Sequence, residues 1–149
     1  MLSLIWLSVM TGASAAEPAV DKGTMGLSFD LGGLSLSSSD ILMGGHYFLS
    51  KRKALNVYVG LDTELDALGT YASLRQYMNG GEARAFWEAG GGVFLDNSDL
   101  LILGGGSIGG EYWIKEHLSV WGRTGASLSI DNDVAITTRT SSLNLALYF

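Results

Sequence analysis

The sequence has 149 residues, which is the length of a single domain. Apolar residues make up 47% of it and charged residues only 16%, so its surface cannot be the charge-rich surface of an ordinary soluble protein. The absence of cysteine excludes disulfides, thiolate metal sites and cysteine nucleophiles, and the net charge of −6 argues against nucleic acid as a partner.

Residues 1–16 have the pattern of a secretory signal peptide. The apolar run LSLIWLSVM precedes TGASAA, whose small residues suit cleavage after Ala15 or Ala16, although the usual basic start is missing. A membrane anchor is the alternative, but about 20 apolar residues are needed to span a bilayer as a helix. We therefore expect a leader over residues 1–16, a short tail over residues 17–23 and one domain over residues 24–149, in a protein that leaves the cytoplasm.

From residue 24 onward, apolar and polar residues alternate with a period of two, which is typical of strands with one apolar face. In ALNVYVGLDTEL, Leu55, Val57 and Val59 share one face, while Asn56 and Tyr58 share the other. Short turn-like stretches such as SKRK, NGGE and KEH separate the segments. The pattern predicts eight strands, which pair antiparallel because no helix-period segment interrupts them. They cover residues 24–36, 40–50, 54–65, 70–78, 83–95, 100–114, 118–130 and 137–149.

The polar face of these strands has the features of a barrel interior. It carries glycines where eight closed strands leave little room, at Gly44, Gly90, Gly92, Gly105 and Gly109. Its charges have both signs and can pair with one another, whereas a solvated face would carry many lysines. The predicted charge network of the lumen consists of Asp30, Asp62, Glu64, Arg75, Arg84, Glu88, Glu111 and Arg123, with Glu88, Glu111, Arg84 and Arg123 at its centre.

The last strand indicates that the apolar face points outward. In SLNLALYF, Leu143, Leu145, Leu147 and Phe149 alternate with small or polar residues, and an aromatic last residue suits the interfacial belt of a membrane barrel. A closing strand here also leaves no free sheet edge. The predicted fold is therefore all-β, an eight-stranded antiparallel up-and-down transmembrane β-barrel over residues 24–149. A soluble lipocalin-like barrel with the two faces exchanged is the alternative.

Two segments resemble a known family. GGSIGGEYWIKEHLSVWG, residues 105–122, resembles the penultimate periplasmic hairpin of small outer-membrane β-barrels of the OmpX, OmpA and OmpW type. SLNLALYF resembles the C-terminal assembly signal of that family, which implies that the barrel-insertion machinery is a partner. The resemblance is specific over residues 101–149 and rests on alternation alone over residues 24–95. It implies a Gram-negative outer-membrane protein of the porin type, a monomer in contact with outer-membrane lipid and lipopolysaccharide.

No catalytic, cofactor or metal site is predicted. Gly104, Gly106 and Gly109, followed by Asp131, match the spacing of a dinucleotide fingerprint. That site requires a helix after the glycines, whereas the residues that follow alternate as strands do. The acidic connections DNSD and DND at the predicted external rim are either ligands for a hard cation or ordinary turn formers, and we interpret them as turns.

The two histidines give little reason to expect an enzyme. His46 faces the predicted lumen opposite Ser28 or Asp30, and His117 lies in a turn. Outer-membrane lipid A deacylases carry their histidine and serine as His-x-Ser on late strands, a spacing that this sequence lacks. A Ser-His-acid triad, and with it a lipid A-modifying hydrolase, stays an alternative, but a hydrogen-bonded lumen histidine fits the pattern better.

The sequence therefore predicts a small outer-membrane barrel with a side-chain-filled lumen and a structural, envelope-integrity or surface-interaction role. A narrow channel or transporter for ions or small apolar solutes is the alternative, and the many small lumen residues favour it. It is opposed by bulky side chains that also point inward, at Tyr58, Phe86, Phe94, Trp113 and Trp121. A soluble lipid-binding barrel is the second alternative.

Overall fold

A computed structural model of the protein describes residues 18–31, 40–62, 67–96, 99–130, 134–137 and 142–149. The predicted leader and Glu64 lie outside these residues. The described residues form strand segments β1 (Met25–Asp30), β2 (Asp40–Ser50), β3 (Lys53–Asp62), β4 (Ala67–Tyr77), β5 (Ala83–Asp96), β6 (Asp99–Lys115), β7 (Leu118–Ile130), β8 (Val134–Thr137) and β9 (Ser142–Tyr148).

The strands close into an eight-stranded antiparallel β-barrel, as the alternation predicted. From β1 to β7, each strand pairs with its neighbour in sequence, and β9 pairs with both β7 and β1. Because β8 and β9 pair with successive parts of β7, they occupy the eighth position together. Reciprocal hydrogen bonds between the backbones of Met25 and Phe149 extend the closure, at N–O distances of 3.0 and 2.8 Å. Within the described ranges, no helix is long and apolar enough to cross a membrane.

Two of the predicted strand boundaries were wrong, and another lies outside the described residues. The first strand was predicted to reach residue 36; its described part is Met25–Asp30, and residues 32–39 lie outside the described part of the chain, so this end stays a prediction. The fourth strand begins at Ala67 rather than residue 70, because the segment interpreted as a DALG turn pairs with the end of β3. The last strand was predicted as one piece from residue 137, whereas β8 already begins at Val134 and pairs with the end of β7.

Side chains alternate strictly between the outside of the barrel and its lumen. On β3, Val57 is 44% exposed and Val59 is 42% exposed, whereas Asn56 and Tyr58 between them are at most 1% exposed. The same alternation holds along β1, where Leu27 is exposed and Ser28 is buried. The apolar face is therefore the exterior, and polar side chains are buried in the lumen.

The ends of the barrel differ in what fills them. At one end, which we call the turn end, β2–β3, β4–β5 and β6–β7 are joined by the short connections at residues 51–52, 78–82 and 116–117. The opposite end is called the loop end. Near the turn end the lumen is packed with an aromatic layer, in which neighbouring ring centroids lie 4.6 to 5.9 Å apart. The aromatic layer consists of Phe48, Tyr77, Phe86, Trp113 and Tyr148, all at most 3% exposed.

Two inward-facing glycines of β5 let it lie close against β4. A Cβ on Gly90 would collide with the carbonyl oxygen of Ala72, and one on Gly92 would collide with that of Thr70. Since both contacts are with backbone atoms, they cannot be relieved by rotating a side chain. These glycines allow the tight curvature that a narrow barrel requires.

Candidate functional site: a charged cluster in the lumen

Glu88 on β5 joins two arginines in the middle of the barrel. Its carboxylate accepts a hydrogen bond from Arg75 Nε at 2.9 Å and another from Arg123 Nη1. Ser73 Oγ donates to it at 2.7 Å and Asn56 Nδ2 at 3.2 Å. Glu88 is 2% exposed, so these donors replace the water that the carboxylate loses on burial.

Arg75 on β4 is fully buried between two carboxylates and two aromatic rings. Besides its bond to Glu88, its Nη1 lies 3.6 Å from Glu111 Oε2. The centre of its guanidinium lies 4.0 Å from the ring centroid of Phe86 and 4.2 Å from that of Trp121. Cation–π contacts of this kind strengthen when the cation is desolvated, and they stabilise the buried charge further.

Glu111 on β6 links the cluster to the aromatic layer. Its carboxylate accepts a hydrogen bond from Tyr148 Oη at 2.7 Å, and others from Tyr77 Oη and Ser119 Oγ. Glu88 and Glu111 face Arg75 and Arg123, so the four charges of this cluster balance. A balanced, hydrogen-bonded set is the arrangement in which charges tolerate burial.

The centre of the network differs from the predicted one, because Arg75 occupies the place predicted for Arg84. Arg84 pairs in backbone register with Glu111, yet its guanidinium donates to the carbonyl oxygens of Gly81 at 3.0 Å and Lys51 at 3.1 Å. It thereby ties two turns together at the turn end. The period-two alternation of the sequence places both arginines on the inner face, but it does not give their positions along the barrel axis.

The remaining predicted members of the network lie elsewhere. Asp30 lies on β1 opposite Asn144 of β9, toward the loop end. Asp62 ends β3 at the loop end, and its side chain is outside the described part, as is all of Glu64. The described structure therefore brings together Arg75, Glu88, Glu111 and Arg123.

His46 forms a hydrogen-bonded chain with a serine and an asparagine. Its Nε2 lies 2.7 Å from Ser28 Oγ, and its Nδ1 lies 2.8 Å from Asn56 Oδ1. The sequence predicted Ser28 or Asp30 as neighbours and missed Asn56. The two-residue connection between β2 and β3 sets a register that places Asn56 directly across from His46. This short connection is visible in the sequence and could have been used to predict Asn56 as a neighbour.

Ser28, His46 and Asn56 are hydrogen-bonded in the order of a nucleophile, a base and a group that orients the base. All three side chains are at most 5% exposed, so the serine oxygen is closed to a lipid or ester substrate in this structure. The rings of Tyr58 and Trp121 lie about 6 Å from His46 and pack edge-on, and the ring of Tyr148 lies 5.9 Å from it and is tilted. The arrangement satisfies buried polar groups and orders the lumen.

A recess of about 200 Å³ lies above the cluster, toward the loop end. Tyr71, Leu103, Ser107, Arg123 and Ser127 are among the residues that line it. Its floor is Arg123, whose side chain is 14% exposed. The rest of the charged cluster and the aromatic layer lie between Arg123 and the turn end. The recess is therefore blind in the described structure.

The other candidate ligands are dispersed. His117 lies on the β6–β7 turn, with Nε2 3.7 Å from Glu116, and both side chains are more than half exposed. Among the described residues, no group of three or more His, Asp or Glu side chains is placed to hold a metal ion. The acidic connections DNSD and DND fall largely outside the described ranges, so their interpretation as turns stays a prediction and a cation site stays the alternative.

No family model matches the sequence, and no curated protein matches it by sequence either. A solved structure does match by fold: the crystal structure of the N-terminal beta-barrel domain of Pseudomonas aeruginosa OprF, with a TM-score of 0.62 and 14% sequence identity. The match covers 87% of this chain and 98% of that domain. The chain therefore shares the eight-stranded antiparallel barrel fold of the OprF N-terminal domain.

Proposed function

We propose that this chain is a non-enzymatic barrel of a bacterial outer membrane with a closed lumen, and that its role is structural, in envelope integrity or in surface interaction. The observation that carries the proposal is the apolar exterior around a charged interior. Water-facing barrels have the opposite arrangement, whereas a barrel in lipid requires an apolar outer band.

The outer face supports this proposal because its charges are confined to one end. Along the described strands, outward side chains are apolar or uncharged except for Lys53 and Lys115, which both lie at the turn end. The exposed apolar residues include Met43, Leu74, Ile102, Ile108 and Leu128. An apolar surface of this extent would aggregate in water and is stable against acyl chains.

Outward aromatic residues support an orientation in the membrane. Tyr47, Trp87, Tyr112 and Phe149 all project outward near the turn end, at 38% to 70% exposure. Aromatic side chains concentrate at the level of the lipid headgroups, and outer-membrane barrels place their short turns in the periplasm. The turn end therefore faces the periplasm in our proposal, with Lys51, Arg52, Lys53 and Lys115 beside the headgroups.

The C-terminal strand supports assembly by the barrel-insertion machinery. Leu143, Leu147 and Phe149 project outward from β9, while Asn144 and Tyr148 between them are buried in the lumen. An insertion machine would thus meet one continuous apolar face, in agreement with the resemblance of SLNLALYF to an assembly signal. Outer-membrane lipid and lipopolysaccharide are the further proposed partners of a monomer.

Conductance in a planar lipid bilayer tests the closed lumen. Because an eight-stranded barrel has room for little more than its own side chains, and because the charged cluster and aromatic layer fill the lumen below the recess, we expect no channel openings from the wild-type protein. Openings of the wild-type protein would contradict this expectation if their size or selectivity changes in the Arg123→Ala variant.

A narrow channel for ions or small apolar solutes is the second candidate. The recess is the observation that favours it, since it leads from the loop end down to Arg123. In that case an ion would have to pass between Arg75, Glu88 and Glu111, and movement of those side chains would limit the current. Openings in the wild-type protein that persist in Arg123→Ala with altered selectivity would favour this candidate.

A further inference from the structure

The chain before β1 crosses the turn end of the barrel. We call residues 18–24 the strap. Val20 is 3% exposed and belongs to the same buried cluster as the aromatic layer, and Pro18 is buried as well. An apolar residue so deeply buried outside the sheet indicates that the strap is part of the packed lumen, not a free terminus.

Backbone hydrogen bonds hold the strap on two sides of the opening. Gly23 donates to the Phe48 carbonyl of β2 at 2.8 Å, and Phe48 donates back to Thr24 at 2.9 Å. At the other end, Ala19 donates to the Glu116 carbonyl in the β6–β7 turn at 3.1 Å. In the barrel, β1 and β9 lie between β2 and the β6–β7 hairpin, so the strap bridges strands that do not pair.

A tight turn directs the strap across the opening. The Thr24 amide donates to the Asp21 carbonyl at 3.1 Å, and the Asp21 amide donates to Thr24 Oγ1 at 3.0 Å. Gly23 has a φ of 94°, in the left-handed region that side chains disfavour. The chain leaving β1 is thereby folded back over the lumen instead of continuing away from the barrel.

Arg84 covers the part of the opening that the strap leaves. Its guanidinium bonds the carbonyl oxygens of two turns and lies 5.6 Å from the ring centroid of Tyr77 and 5.9 Å from that of Trp113. Trp113 is fully buried although it lies only two residues before the end of β6, beside the β6–β7 turn. Such burial at the edge of a barrel requires a cover, and Val20 and Arg84 supply it.

We propose that the strap is a seal that closes the lumen at the turn end, so that water and solutes enter the lumen from the loop end alone. The seal requires only the barrel fold and not the membrane location, so it goes beyond the function proposed above and can be tested separately. The side chain of Val20 covers the lumen, and the backbone hydrogen bonds to Phe48 and Glu116 hold the strap in place.

Cysteine labelling tests the seal cleanly, because the wild-type chain has no cysteine. Ser119→Cys reports on the lumen near the turn end, where Ser119 is fully buried. Ser127→Cys reports on the recess and is the matched control. Each is refolded in detergent with either the native strap or Val20→Asp, checked for a compact heat-modifiable band, and treated with a small charged methanethiosulfonate.

With the native strap, we expect Ser119→Cys to react at least about tenfold more slowly than Ser127→Cys, because labelling requires local opening. Val20→Asp should accelerate Ser119→Cys and leave Ser127→Cys unchanged, while Lys22→Asp, at an exposed strap position, should change neither. If Val20→Asp prevents folding, Val20→Ala takes its place with a smaller acceleration. Equal rates for the two reporters with the native strap would overturn the proposal, as would slow labelling of Ser119→Cys that neither Val20 variant alters.

Discussion

Individual side chains of the lumen derive their importance from having no access to water. Glu88 is buried with several hydrogen bonds, and buried Arg75 donates to Glu88 and to Tyr58 Oη, so their charges are stable only as a set. Such sets contribute little net stability compared with apolar packing, but removing one member leaves its partners charged and unpaired. The alternation of the sequence predicts which residues face the lumen, whereas the pairing of Arg75 rather than Arg84 depends on strand register and stagger.

Glu88→Gln should destabilise the barrel strongly. Arg75 and Arg123 would both lose their shared carboxylate, and breaking a buried pair costs about 3–5 kcal/mol. The free energy of unfolding in lipid vesicles, from a reversible urea titration, measures the effect. The control is Glu82→Gln in the exposed β4–β5 turn, which should leave the midpoint unchanged. Equal stabilities for Glu88→Gln and the wild-type protein would show that the cluster is not a coupled set.

Tyr148→Phe should remove one hydrogen bond from the buried carboxylate of Glu111 without changing the shape of the aromatic layer. A hydrogen bond to a charged group contributes about 1.5–3 kcal/mol, and this loss should appear in the same titration. Tyr112→Phe is the control, since Tyr112 is 39% exposed on the outer face. Similar losses for the two variants would contradict the inward placement of the Tyr148 hydroxyl.

Within each strand, the period-two pattern matches the two environments of the barrel wall, the outer face and the lumen. Each strand presents apolar side chains outward and polar or aromatic side chains inward, so a register slip by one residue would exchange the faces. This rule made the strands of the barrel predictable from sequence. The ends of the strands were less predictable. The Val134–Thr137 segment follows an acidic turn-like stretch and is too short to show alternation, so the last strand was predicted to begin only at residue 137.

Val57→Arg should interfere with membrane insertion far more than Met78→Arg. Val57 lies in the middle of β3 on the outer face, where an arginine costs about 2–4 kcal/mol, whereas Met78 follows β4 at the turn end, where the cost falls to about 0–1 kcal/mol. Folding yield into lipid vesicles, compared for the two variants, measures the difference. Equal yields would indicate that the outer face does not contact acyl chains.

Phe149→Ser tests the proposed assembly signal apart from the fold. Phe149 is 70% exposed, so its side chain adds little packing, and its backbone bonds to Met25 remain available to serine. We expect Phe149→Ser to reduce insertion into the outer membrane of cells while refolding in detergent proceeds as in the wild type. Unchanged insertion in cells would remove the proposed role of this residue.

At the scale of the whole molecule, closure of the barrel removes free strand edges and creates the lumen in which the polar side chains meet. Once β9 pairs with β1 and β7, the described sheet has no free edge in the half near the turn end. The polar side chains of the strands then face one narrow lumen. The sequence indicated closure through its strand count and its last strand. It did not indicate the strap, since seven residues before β1 carry no periodic pattern, and only the structure brings Val20 to the aromatic layer.

Gel mobility with and without boiling tests the central claim, a closed barrel with an apolar exterior, most directly. The chain without residues 1–16 is refolded in detergent, mixed with SDS and divided, and one half is boiled before electrophoresis. We expect a compact, faster band in the unboiled half that shifts to the unfolded position on boiling, because a closed, hydrogen-bonded barrel resists SDS in the cold. A single band that boiling does not shift, from a protein that stays soluble without detergent, would contradict it and favour a soluble barrel with its faces exchanged.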